Sequence, residues 1–203
     1  MLFQTIGTIG AGPVARAVAR HAAEAGHPVR VSNNHGPDTL DDVIRTIGPG
    51  ASAVSFDDAV ATDIVLLAAP FVAVPAIGRR LDDWTGRVVV DMTNQFAEMN
   101  PYRGFAAVSP LTGSEWVAQH LPGATVIKAF NAMFADRTAA EPRHEEGAQV
   151  VFFAGDDAPA KADFAELVAG FGFAPIDLGG LREGGGLMQL GGALNGKHFL
   201  LQK

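Results

Sequence analysis

The first chemically loaded stretch of the chain is GTIGAGPVARAV, where Gly10, Gly12 and Ala15 stand at the spacing Gly-x-Gly-x-x-Ala. An apolar run, LFQTIGTIG (2–10), leads into it, and a helix-forming run, PVARAVARHAAEAG (13–26), leaves it. In that setting each position has a physical task. Gly10 permits a tight turn, Gly12 lets the backbone approach a diphosphate, and Ala15 allows a helix to pack closely on a strand. The N–H groups that open a helix have no partners within it and can hold anionic oxygens. The alternative phosphate loop, G-x-x-x-x-G-K-[ST], is absent, so a kinase or ATPase reading has no support.

The second place is the tip VRVSNNHGPDT (29–39). A dinucleotide site commonly offers an acid about 20 residues after the glycines, where it bonds the ribose hydroxyls. Here the tip reads Ser32, Asn33, Asn34, His35, with no carboxylate to repel an extra phosphate. Hydroxyl, amide and imidazole groups can all donate hydrogen bonds to a 2′-phosphate, and a protonated His35 would add charge. The missing acid predicts NADP(H) over NAD(H), with tighter binding at acidic pH. Asn34 also has the turn propensity of a plain polar loop.

Three further strand ends carry Pro70, Asn94 and Asn131, small or neutral hydrogen-bonding groups rather than acids or bases. Lys128 is the one ionisable residue of its motif, and a strand-end lysine commonly snorkels to water. Tyr102, the single tyrosine, lies in a loop at NPYRG (100–104) and is expected at the surface. The absence of an evident general acid favours hydride transfer between two rings, where the protein supplies alignment and a dry interface. A carbonyl reductase would want a proton donor beside the developing charge. Six histidines show no paired ligand spacing, and Arg143–Glu146 reads as a solvated charged turn, so no metal site is expected. Ser109 and Ser114 lack the glycine-flanked elbow of a serine hydrolase, while Thr112 to Glu115 resembles a capping box ahead of Trp116.

The elements that must position these residues are legible as short apolar strands separated by helical runs. Strands are expected at 2–10, 27–34, 51–56, 63–70, 86–94, 124–131 and 148–156, with FAPIDLGG closing the pattern. Helices are expected at 13–26, 38–47, 71–84 and 158–172, with a short one at best over 57–62. This is an α/β chain with a doubly wound parallel sheet covered on both faces. Residues 1–178 are expected to form the dinucleotide-binding domain, and 179–203 a glycine-rich extension packed on it. In that extension Leu187, Met188 and Leu190 would offer an apolar surface to a second substrate or to a partner copy.

Composition narrows the classes. Of 203 residues 48% are apolar, enough for a large core, and the net charge of −7 disfavours nucleic acid. With no cysteine, disulfides, thiolate catalysis and sulfur-ligated metals are excluded. MLFQTIG lacks the features of a signal peptide, and the run IVLLAAPFVAVPAIG (64–78) is short of the ~20 residues of a membrane span and holds two prolines. A cytoplasmic protein with no membrane partner is expected.

At nearly full length, from residue 5 to about 195, the chain resembles the NADPH-dependent reductases of the deazaflavin coenzyme F420. The same domain forms the cytosolic part of the six-transmembrane ferric and cupric reductases. The resemblance rests on GTIGAGPVARAV, the Ser-Asn-Asn-x-Gly-Pro tip, LLAAPF, VVVDMTN and IKAFNAM. It implies a Rossmann NAD(P)-binding fold, with Thr8 and Ile9 beside the dinucleotide and Gly10, Gly12, Pro13 and Val14 under its phosphates. Ser32, Asn33, Asn34 and His35 would surround the 2′-phosphate, and Ala69, Pro70 and Phe71 the ribose and base. Asn94, Ala129, Phe130 and Asn131 would lie at the nicotinamide, with Asn131 and Lys128 in orienting roles. Two departures stand out: the family's tip arginine is His35 here, and a basic residue that follows the tail glycines is Gly186.

The resemblance implies a homodimeric oxidoreductase that moves a hydride between NADP(H) and F420 or a flavin such as FMN or FAD. A non-catalytic NADP(H)-binding sensor and a small carbonyl reductase are the alternatives.

Overall fold

The computed structural model describes residues 3–99 and 101–202. Nine of the described strands build one sheet, with helices between them along the chain. The first half comprises β1 (Ile6–Ile9), α1 (Pro13–Glu24), β2 (Val29–Ser32), α2 (Asp41–Ile47), β3 (Ala51–Ala53), α3 (Phe56–Val60), β4 (Ile64–Leu67) and α4 (Val74–Gly78). Then come β5 (Val88–Asp91), a hairpin of β6 (Phe96–Met99) and β7 (Tyr102–Phe105), α5 (Gly113–His120), β8 (Thr125–Ala129), α6 (Ala135–Ala139) and β9 (Gly147–Gly155). The chain closes with α7 (Ala158–Gly170), β10 (Ala174–Asp177), α8 (Glu183–Met188) and β11 (Leu200–Gln202). The sheet runs in the order β3-β2-β1-β4-β5-β8-β9-β10, and β11 pairs with β9.

Buried strands alternate their side chains between two cores. Ile64 and Leu66 of β4 face the cluster that holds Val18 of α1, Leu40 and Phe164 of α7. Val65 and Leu67 face the opposite cluster, with Phe56 of α3, Val74 of α4, Trp84 and Val117 of α5. Both faces are therefore dry, which is why the strands read as continuous apolar runs. Among the described residues no helix is long and apolar enough to cross a membrane.

The α/β class and the expected strands, 148–156 among them as β9, are observed, and three expectations need correction. The sheet is not wholly parallel, because β9 runs antiparallel to β8 and β11 antiparallel to β9. After β8 the chain turns back through α6 at the same end of the sheet, and a doubly buried strand carries no trace of its direction in sequence. The helix expected over 71–84 is a 3₁₀ turn plus α4 and stops at Gly78. There a Cβ would run into the His120 carbonyl, and the Trp84 indole N–H donates back to the Gly78 carbonyl at 3.0 Å. The loop expected around Tyr102 is the β6–β7 hairpin; the surface position expected for the Tyr102 side chain, like residue 100 before it, lies outside what the structure describes.

Candidate dinucleotide and redox site

The carboxyl ends of β1, β2, β4 and β5 open onto one cavity of about 710 Å3, within the ~300–1,000 Å3 usual for small-molecule sites. Its floor is the turn from β1 into α1. Gly10 has φ +105°, with its carbon packed so tightly on the Ala68 carbonyl that a Cβ has no room. The Arg16 ε N–H donates to the Ala11 carbonyl at 2.8 Å and ties the first helical turn to the loop. Gly12 is extended at φ −73°, and Pro13 follows at a position where the missing N–H costs nothing. A Cβ on Gly12 would meet no atom within 4 Å. The loop is thus a cradle with room at the one place where a ligand backbone must come close.

Ile9, Gly10, Gly12, Pro13 and Val14 line this cavity, as do Asn33, Asn34, Ala69, Pro70, Phe71 and Asn94. The structure brings these expected residues together. Thr8, Ser32 and His35 do not reach the wall. Thr8 is fully buried, and the Ser32 hydroxyl, itself buried, donates to the Thr8 carbonyl at 2.7 Å. That bond locks β2 to β1 and takes the serine out of phosphate reach. His35 is exposed, its backbone N–H donating to Asn33 Oδ1 at 2.9 Å, while Asn33 Nδ2 donates to Thr39 Oγ1 at 2.9 Å. The tip is a side-chain-closed turn that aims Asn33 and Asn34, not the histidine, at the cavity.

Ala129, Phe130 and Asn131 are also set back from it. Phe130 adopts φ +58°, and its ring sits edge-on to Phe164 and Phe173 in the core. This left-handed residue turns the chain so that Asn131 follows behind the β5 end. Asn131 Nδ2 donates to Asn94 Oδ1 at 3.2 Å and to the Met188 carbonyl at 2.8 Å, and Asn94 Nδ2 returns a bond to the Asn131 carbonyl at 3.3 Å. Of this pair Asn94 lines the cavity and Asn131 braces it.

Lys128 does not snorkel. Its Nζ donates to Asp91 Oδ2 at 3.0 Å and to the Thr93 carbonyl at 2.5 Å, and only 3% of the side chain is exposed. Asp91, directly opposite it in register, accepts the rest of its bonds from the Ser114 hydroxyl at 2.7 Å and from the Thr93 N–H and hydroxyl at 2.9 and 2.7 Å. Burial holds the Lys128 ammonium below its ordinary 10.5, with Asp91 pulling the other way. The pair fixes the Thr93–Asn94 turn against the N-terminal turn of α5. That helix carries the expected capping box, with the Thr112 hydroxyl accepting from the Glu115 N–H and the Glu115 carboxylate from the Thr112 N–H.

The extension behaves unlike an open apolar face. Met188 is fully buried against Ala132 and Ala154, and Leu187 alone of the expected trio is exposed. Gln189 Oε1 accepts from Gln95 Nε2 at 3.0 Å and from the Gly113 N–H at 2.9 Å. No described residue of the extension lines the cavity; it buttresses the loops after β5 and β8 from behind.

Sequence reasoning missed Asp91, Ser114, Phe56 and Arg80. Asp91 had a signal, a carboxylate ending an apolar strand, but its partner lies 37 residues on and only the register joins them. Arg80 had none, since the run 71–84 reads as one helix. Arg80 is the one ionisable residue among the described residues of the cavity wall.

Residues 5–95 match the family model described as NADP oxidoreductase, coenzyme F420-dependent. The chain is 29% identical over 180 residues to the metalloreductase STEAP3 of Rattus norvegicus, an alignment that takes in 87% of this chain and 34% of that protein, so it spans about a third of the curated relative. The crystal structure of a hypothetical protein, SMa0349 from Sinorhizobium meliloti, superposes with a TM-score of 0.90 at 33% identity, covering 100% of this chain and 97% of that one. A putative F420-dependent NADP-reductase from Arthrobacter sp. FB24 shares the fold at a TM-score of 0.69 and 24% identity, over 88% and 86% of the two chains. Over residues 5–95, which hold the glycine loop, the acid-free tip and Asn94, the chain matches the coenzyme F420-dependent NADP oxidoreductase family.

Proposed function

We propose that this chain binds NADP(H) in the cavity and passes a hydride between its nicotinamide and a planar ring acceptor, a deazaflavin of the F420 type or a flavin. The observation that carries the reading is the wall itself. It joins a glycine cradle with space above Gly12 to an acid-free tip, and Arg80 is its only ionisable side chain among the described residues. No described wall residue can serve as a proton donor at neutral pH, because a guanidinium stays protonated. Lys128 is buried, bonded to the Thr93 carbonyl and committed to Asp91. A small-carbonyl reductase would need such a donor; hydride exchange between two rings does not.

The bound dinucleotide would supply the hydride chemistry itself. The chain's own residues hold and exclude. The N–H groups at the start of α1 take the diphosphate oxygens, and the apolar Ala69, Pro70 and Phe71 shed water from the ribose. Asn94, kept in place by Asn131 and by the Asp91–Lys128 pair, presents an amide to the nicotinamide end. The chemistry asks for alignment, and these contacts are rigid.

The test is anaerobic mixing of reduced F420 with NADP⁺ and the protein, followed at the deazaflavin absorbance, with NAD⁺, FMN and FAD in parallel. Return of the oxidised deazaflavin band with NADP⁺ is the expected result. NADPH binding with no hydride transfer to or from any of these rings would sink the enzymatic reading and leave a binding protein.

A further inference from the structure

The chain leaves α4 at Gly78, and two residues later the Arg80 side chain crosses the cavity wall to lie over Phe56, its guanidinium carbon 3.6 Å from the ring centroid. Phe56 opens α3 just after β3, and β3 is the sheet neighbour of β2. The Val54 N–H donates to the Val31 carbonyl at 2.9 Å, which brings the end of β3 alongside the tip at Asn33 and Asn34. Arg80 thus carries a cation from the β4 side of the cleft to the wall beside the tip that lacks an acid.

Five of the other ten arginines are paired. Arg20, Arg45, Arg103, Arg143 and Arg182 each face a carboxylate. Arg80 forms no ion pair among the described residues, although Asp57 and Asp58 follow Phe56 directly; Asp58 accepts the Ser55 hydroxyl instead. Stacking on Phe56 takes one face of the guanidinium and fixes its plane, leaving the forked N–H edge free. A planar fork of donors held without a partner in a ligand cavity matches a phosphate.

We propose that Arg80 determines specificity for the 2′-phosphate of NADP(H), supplying from the end of α4 the charge that His35 does not bring to the cavity. This rests on the NADP(H) reading above. The cationic partner of the 2′-phosphate then comes from across the cleft, and an arginine-free tip remains compatible with NADPH selection.

The experiment is an equilibrium titration of the full chain with NADPH and with NADH, read by nicotinamide fluorescence, for wild type, Arg80→Gln, Arg80→Lys and Phe56→Leu. Arg80→Gln should weaken NADPH by roughly 10- to 100-fold while NADH changes by less than about twofold. Arg80→Lys should fall between, because a point charge replaces a fork. Phe56→Leu should follow Arg80→Lys in direction. Unchanged NADH binding reports that each variant is folded. Equal losses for both cofactors would overturn the assignment in favour of adenine stacking, and no loss for NADPH would overturn it outright. If wild type binds NADPH and Arg80→Gln does too, only Arg80 falls; if wild type binds neither cofactor, the NADP(H) reading falls and this inference with it.

Discussion

Lys128 Nζ and Asp91 Oδ2 lie 3.0 Å apart at the ends of adjacent strands, with 3% and 0% of their side chains exposed. A charge pair so deep is held by its full set of hydrogen bonds rather than by attraction alone, since desolvation opposes it. Asp91 accepts four, from Lys128, Ser114 and Thr93 (twice).

Removing one partner should therefore be worse than removing both. Lys128→Met strands a buried carboxylate and should cost about 3–5 kcal/mol in urea unfolding. Asp91→Asn combined with Lys128→Met should recover a large part of that loss. Equal midpoints for the single and double variants would show that the pair is not what binds β5 to β8.

The two glycines of the cradle should separate folding from binding. Gly10→Ala demands a side chain at φ +105° against the Ala68 carbonyl, and should destabilise on the order of 3 kcal/mol. Gly12→Ala meets open space at φ −73°, so stability should move by less than about 0.5 kcal/mol. NADPH binding should nonetheless fall about tenfold or more, because the methyl stands where a diphosphate must approach. Thermal melts and NADPH titrations on both variants check this; a Gly12→Ala protein with undiminished affinity would remove the cradle from the site.

Adding the missing acid should reverse the cofactor preference. Asn33→Asp keeps the oxygen that accepts the His35 N–H and puts a negative charge on the cavity wall. NADPH should weaken by about tenfold, as like charges repel, while NADH holds or tightens. The ratio of the two dissociation constants is the measurement, and a ratio equal to wild type would contradict the tip's assigned role.

Acid should loosen the start of β1 through Asp63. The Thr5 N–H, donating at 2.8 Å, holds this carboxyl below its ordinary 3.8; partial burial opposes that, and the Thr5 hydroxyl and Gln4 N–H add to it. The folded value is the lower one, so the group stabilises the fold above pH 3.8 and the contribution is lost as pH falls through the folded value. Asp63→Asn should lower stability at neutral pH and flatten the acid limb of an unfolding-versus-pH curve below about pH 4. An acid limb identical to wild type would assign that sensitivity to other carboxylates.

Much of this molecule was legible in its order of residues. The Gly10-x-Gly12-x-x-Ala15 turn, the acid-free tip and the apolar strands are local features, each set by backbone freedom, donor chemistry or doubly buried faces. They were enough to imply the family and the α/β class. Which residues of each motif face the ligand was not local. Ser32 turns to the Thr8 carbonyl, Phe130 into the core and Asn131 behind Asn94, because neighbours distant in sequence offer them better partners. Lys128 reads as a surface lysine until register sets Asp91 opposite it, and Arg80 reads as a helix residue until Gly78 meets His120 and ends α4. Strand direction at β9 was equally hidden, since a strand buried on both faces looks the same read either way. Sequence alone determined the chemistry carried by each strand end; only the tertiary structure decided which side chains are spent on holding the fold and which remain free to meet a ligand.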